Sequence, residues 1–287
     1  VSGRRPGAAF PLIAAAAVCL LAVAGVRGQT PQAAFSIGVL PNMSARVILL
    51  QYQPMREYFA AELSRPVEIV TAPDFKTFSE RTLRGDYHMV VTAANVGRVA
   101  HLDAKWEPIA LYDPPVTAVL VAAADNATAA PQQLRGKSLA VANPQSLVVL
   151  RGLEWLREQG LQAGRDYQLV HAANDDSLGA VLRSGEAPLA IMSLGEFRAR
   201  PESMRQTLRI AAEFAQVPGF MVMINPGLGA TDRQRLKALM LRFPQTDLGK
   251  RFFAQAGVTD IREVTPAELQ RLDAYVEPTR AGLGIRR

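Results

Sequence analysis

The chain has 287 residues, is 49% hydrophobic and carries a formal charge of +6 at neutral pH. It is long enough to bury a substantial core, and it has no Lys/Arg block with interleaved aromatics, which argues against a nucleic-acid partner. Its one cysteine, Cys19, rules out a disulfide framework.

Arg4 and Arg5 precede an almost uninterrupted apolar run over residues 8–26, and Ala22, Ala24 and Gly25 then give an A-x-A pattern. This reads as a secretion signal over 1–28, cut near Ala24 or Gly28, with an uncleaved anchor as the alternative. Val18 before Cys19 and the apolar stretch behind it speak against lipidation, and P-G-A after Arg5 speaks against twin-arginine export. Removing Arg4, Arg5 and Arg27 from a charge of +6 leaves +3, with no cysteine. The mature part is then expected in the periplasm.

Short, β-branched, apolar runs predict strands over 35–40, 67–71, 88–92, 108–112, 116–122, 138–142, 167–171, 189–193 and 220–224. Helical runs separate them. Pro54 suits a first helical turn, and Met55, Tyr58, Phe59 and Leu63 recur on one face. Leu147, Leu150, Leu153 and Leu156 repeat near the same period ahead of Gly160. Thr265-Pro266-Ala267-Glu268 is a capping box with proline at its first helical position. Alternating strands and helices predict an α/β protein whose sheets are mostly parallel and flanked by helices. The rhythm changes near residues 112–115 and 216–219, where the chain is expected to cross between lobes. Lobe one takes 33–113 and the return segment 218–287; lobe two takes 114–217.

Several motifs then fall into a familiar order. These are I-G-V-L-P at 37–41 with Ser44, Q-P-M-R-E-Y-F at 53–59, R-P-V-E at 65–68, A-P-D-F at 72–75 and L-R-G-K-S-L-A-V at 134–141. Pro144 with Ser146, the Asp176-centred turn and S-G-E at 184–186 continue the series. Over residues 35–260 the chain resembles the periplasmic solute-binding proteins of phosphate, phosphite and phosphonate ABC importers. The resemblance implies a two-lobed type II binding-protein fold that closes on a ligand in the cleft between lobes. It also implies a hydroxyl-rich run after Pro144, where this chain has Gln145-Ser146-Leu147-Val148. Val116, Asp175, Ser193 and His88 likewise stand where the resemblance implies a tyrosine, a histidine and two acidic residues. A phosphonate dianion beside Asp175 would be repelled unless a cation intervened.

In α/β sheets ligands sit where strands hand over to helices. Asn42, Met43 and Ser44 occupy the first handover, and Ser44 either donates to a ligand or caps its own helix. Thr92 and Asn95 close the third strand, as ligand contacts or as a turn. Asn143, Gln145 and Ser146 form the equivalent handover in lobe two. Asn174 and Asp175 open a later helix, with Asp175 free to meet an amine or cation or simply to cap. Ser193 ends a strand, and Tyr112 is either a stacking wall or core. His88, His101 and His171 have no metal-ligand spacing, and His88 reads as a packed strand residue. Neither Gly227-Leu228-Gly229-Ala230 nor any G-x-S-x-G supplies a phosphate loop or a nucleophile. The sequence therefore predicts a non-enzymatic, monomeric receptor without cofactor or metal. It would capture a small polar, possibly anionic ligand and pass it to an ABC permease, or report it to a separate signalling partner.

Overall fold

The computed structural model describes residues 1–3, 33–126, 129–172 and 175–285, with the side chains of residues 175 and 176 also outside the description. The apolar run of the N-terminal segment and Asn174 lie outside the described residues.

Among the described residues, eleven strands form two sheets. β1 (Phe35–Val39), β2 (Val67–Val70), β3 (Met89–Thr92), β4 (Glu107–Asp113), β10 (Met221–Ile224) and β11 (Asp260–Arg262) make one sheet, in the order β11-β4-β10-β3-β1-β2. β5 (Val116–Ala123), β6 (Ser138–Val141), β7 (Gln168–His171), β8 (Leu189–Ser193) and β9 (Leu208–Val217) make the other, ordered β7-β6-β8-β5-β9. Each sheet has a parallel half, β2-β1-β3 or β7-β6-β8. Each also has an antiparallel half built from the strands that carry the chain across or return it. The nine strands expected from sequence are present with ends shifted by at most one residue.

β9 and β11 were not foreseen. β9 reads L-R-I-A-A-E-F-A-Q-V, alanine-rich and without alternation, and only Leu208 and Val217 at its ends are buried. It lies at the sheet edge, paired along its length with the mostly apolar β5, so its partner and not its own pattern sets its conformation.

In the first lobe the helices are α1 (Ala45–Gln51), α2 (Gln53–Leu63), α3 (Phe75–Arg84) and α4 (Ala94–Ala104). The second holds α5 (Leu147–Glu158), α6 (Asp175–Arg183), α7 (Leu194–Arg198) and α8 (Glu202–Arg205). After the return come α9 (Ala230–Arg242), α10 (Asp247–Ala256), α11 (Pro266–Arg271) and α12 (Val276–Leu283). The helical face expected from Pro54 onward is buried: Met55, Tyr58 and Phe59 pack on one side of the first sheet with Phe243 and Phe252. Each such fully enclosed side chain contributes roughly 1.5–3 kcal/mol. The Thr265 capping box forms, with Thr265 Oγ1 accepting from Glu268 N–H and Glu268 accepting from Thr265 N–H.

The chain passes between sheets twice, from Asp113 to Val116 through a cis Asp113–Pro114 bond and from Val217 to Met221. These crossings touch. Tyr112 N–H donates to Phe220 carbonyl oxygen at 2.8 Å, and a Cβ on Gly219 would lie 2.3 Å from Tyr112 carbonyl oxygen, so only glycine fits there. Residues 34–287 form one compact unit carrying both sheets.

Candidate functional site

Register fixes where the handovers face. Thr92, the last residue of β3, pairs with Met221, the first of β10. Ser193, the last of β8, pairs with Ala118 near the start of β5. Both crossings lie at those same ends, so the carboxyl ends of both parallel halves point to the boundary between the lobes. The described handover loops after β1, β3, β6 and β8 therefore meet there, the arrangement in which open α/β sheets bind ligands.

On the lobe-one side, Asn42 and Met43 are partly exposed, and Ser44 is exposed as the cap of α1. Ser44 Oγ accepts from Val47 N–H at 3.4 Å. On the lobe-two side, Asn143 and Ser146 are partly exposed, and Ser146 Oγ accepts from Val149 N–H at 3.3 Å as the cap of α5. A serine that accepts as a cap keeps its own O–H proton, so both hydroxyls retain a donor for a ligand oxygen. Asp175 begins α6. Asp74, at the handover after β2, is exposed and caps α3 by accepting from Thr77 N–H at 2.7 Å.

Other candidates are placed elsewhere. Tyr112 belongs to the core and not to a cleft wall: it is 4% exposed, with ring centroids 6.2 Å from Phe220 and 5.9 Å from Phe252. Burial, with the Tyr52 phenol beside it, pushes its own phenol far above the ordinary value. Thr92 is fully buried, and its methyl lies 3.3 Å from where a Cβ on Gly97 would sit, so it faces α4. The strand's pleat turned it inward, a choice that a four-residue run of apolar neighbours does not reveal. Ser193 is 7% exposed and engaged in a capping box with Glu196.

Asn95 and Gln145 meet each other. Asn95 is fully buried, and its Nδ2 donates to Gln145 carbonyl oxygen at 2.9 Å and to Thr279 Oγ1 at 2.8 Å. Gln145 Nε2 donates to Gly282 carbonyl oxygen at 3.0 Å. Leu147, the next lobe-two residue but one, is buried in the apolar cluster that holds Leu40, Ala72, Phe75 and Leu283. Tyr275 O–H donates to Glu154 on α5 at 2.9 Å, and burial together with that carboxylate raises the Tyr275 phenol to about 12, so it remains a donor. Sequence reading missed Tyr275, Thr279 and Gly282, because nothing local distinguishes a threonine or glycine that meets a residue more than a hundred positions away.

His88 sits at the opposite end of the first sheet, where its Nδ1 accepts from Ser36 N–H at 3.1 Å. Two surface grooves also lie away from the handovers: one of ≈ 490 Å³ beside Leu49, Leu50 and Ile69, and one of ≈ 720 Å³ beside Lys137, Arg183 and Thr207. Asn126, within a possible glycosylation triplet, is occupied by hydrogen bonds with Gln133. Among the described residues no group of three or more His, Cys, Asp or Glu is arranged to hold a metal ion, and no helix is long and apolar enough to cross a membrane.

Two sheets joined by two crossings, with helix-capping handovers turned to their shared boundary, define an α/β binding protein of the two-lobed type II periplasmic class. The sequence profile "ABC transporter, phosphonate, periplasmic substrate-binding protein" matches residues 37–269, so the chain belongs to that family of periplasmic substrate-binding proteins. No curated protein matches it in sequence. Among solved structures it is similar to PhnD1 from Prochlorococcus marinus in complex with methylphosphonate, at 12% identity and a TM-score of 0.75, covering 88% of this chain and 99% of that one. XAC2383 from Xanthomonas citri bound to ATP is similar at 19% identity and a TM-score of 0.73, covering 87% and 98%. A binding protein component of an ABC phosphonate transporter from Pseudomonas aeruginosa shares 11% identity at a TM-score of 0.75, covering 87% and 88%.

Proposed function

We propose that this periplasmic substrate-binding protein closes its two lobes on a small polar ligand bearing an anionic oxygen group and presents the closed form, as a monomer and without catalysis, to an ABC permease. The division into lobe one at 33–113 and 218–287 and lobe two at 114–217, and export through a signal over residues 1–28, belong to the same reading. The observation that carries it is the pair of serine caps, Ser44 and Ser146, on opposite lobes, each with a free hydroxyl proton at the lobe boundary. Asn42, Met43, Asn143, Asn174 and Asp175 complete the proposed contacts.

Methylphosphonate and ATP, bound by two of the similar proteins, share phosphoryl oxygens, which supports an anionic group on the ligand. With one hydroxyl in the run after Pro144, and with Asp74 and Asp175 at the same boundary, a doubly charged anion alone is poorly matched. A ligand that also carries a cationic group suits those carboxylates better. Calorimetry and thermal shift across phosphate, phosphite, methylphosphonate, an aminoalkylphosphonate, alkylsulfonates and amino acids test this. The expected result is a dose-dependent rise in melting temperature that is larger for the amine-bearing member of each pair. A stronger response to methylphosphonate than to its amine-bearing counterpart would overturn the role given to the carboxylates. Ser146→Phe should abolish the response while leaving the unliganded melting temperature within a few degrees; retained affinity would remove Ser146 from the site.

A further inference from the structure

The flank of the cleft at α5 is fastened to elements of the first lobe. Four residues of α4 and the C-terminal segment hold α5 and the loop before it: Asn95 through the Gln145 carbonyl, with Thr279 accepting from Asn95 behind it, Gly282 through the Gln145 amide, and Tyr275 through Glu154. All four belong to elements of the first lobe. α12 lies against α4, tied there by Arg280, which is 3% exposed and pairs with Asp103. Gln145 and Glu154 belong to the second lobe. Leu147 adds apolar burial to the same junction. The fit is close. A Cβ on Gly282 would lie 2.9 Å from Gln145 Cγ, so the glutamine side chain lies flat on α12 only because residue 282 has no side chain.

We infer that the α12 segment is a latch between the lobes, with Gln145 as its bolt, and that it biases the protein towards the closed arrangement before ligand arrives. The inference rests on lobe closure being the mode of capture, as proposed above. Rotation about the two crossings separates α5 from α4 and α12, so the contacts of Gln145, Leu147 and Glu154 are made in the closed arrangement and lost on opening, while the Asn95–Thr279 bond stays within the first lobe. A contact present in only one of two states shifts the population by its own free energy. The loop 143–146 thus has a prepared position, and Gln145 serves closure where the family resemblance would place a ligand contact. A ligand entering this cleft then loses less affinity to reorganisation.

Small-angle X-ray scattering on the ligand-free protein tests the latch, using Gly282→Ala, Tyr275→Phe and the double variant. Each lost hydrogen bond should move the closed-to-open ratio roughly 2- to 10-fold towards open. The radius of gyration should therefore rise in both single variants and furthest in the double. Tyr275→Phe removes one hydroxyl and keeps the ring, so it preserves the fold if Gly282→Ala does not. Scattering curves that superimpose on wild type for Tyr275→Phe and the double variant would overturn the latch. Because no ligand enters the measurement, this failure is distinguishable from an error in the ligand assignment.

Discussion

His88 shows how much one side chain's partner decides. Its Nδ1 accepts from the Ser36 backbone and lies 2.8 Å from Ser36 Oγ, which ties β3 to β1 only while that nitrogen is unprotonated. Burial, reinforced by the positive charge of Arg65, holds its pKa below the ordinary histidine value. The unfolded chain then binds a proton more readily than the folded one. Stability from this site is complete above about pH 6.5 and is lost as pH falls through the lowered folded value. His88→Gln should flatten that part of the melting-temperature profile against pH; an unchanged slope would assign the acid sensitivity to other groups. Asn95 carries the same lesson for the site. Its polar type and its place just past a strand end were legible, but its burial and orientation were not, because the partners that claim it, Gln145 and Thr279, come from distant parts of the chain.

At the scale of elements, the central parallel strands were legible because they are buried on both faces and so are written in β-branched and apolar residues, as in M-V-V-T for β3. The helix starts at Ser44 and Thr265 were legible for a different reason: their side chains satisfy the first free N–H groups, as those of Asp74 and Ser146 also prove to do. The edge strand β9 was not, since half-exposed alanines carry no period. The two crossings were marked by Pro114-Pro115 and Pro218-Gly219, yet their contact with one another was invisible. That contact yields a prediction. Gly219→Ala places a methyl group against the Tyr112 carbonyl, where backbone and not a flexible side chain must give way. It should cost roughly 1–3 kcal/mol in urea unfolding. An unchanged midpoint would show that the crossings slide freely past each other.

For the whole molecule, the two sheets are not independent bodies. Leu147 of the second lobe is buried in a cluster of the first, and residues 34–287 form one compact unit. Calorimetry of the ligand-free protein should accordingly show one unfolding transition; two resolved transitions would mean that the shared cluster contributes little. The separation in sequence of the latch partners has a consequence in time. Gln145 and Gly282 are 137 positions apart, and Glu154 and Tyr275 are 121 apart. A polypeptide threaded through a membrane from its N-terminal side delivers both sheets' handover loops long before α12. During that interval Gln145 and Glu154 lack their C-terminal partners, and the junction rests on the crossings and on Leu147 in the first-lobe cluster. The arrival of the C-terminal segment then completes, through Tyr275 and Gly282, a junction that Leu147 begins.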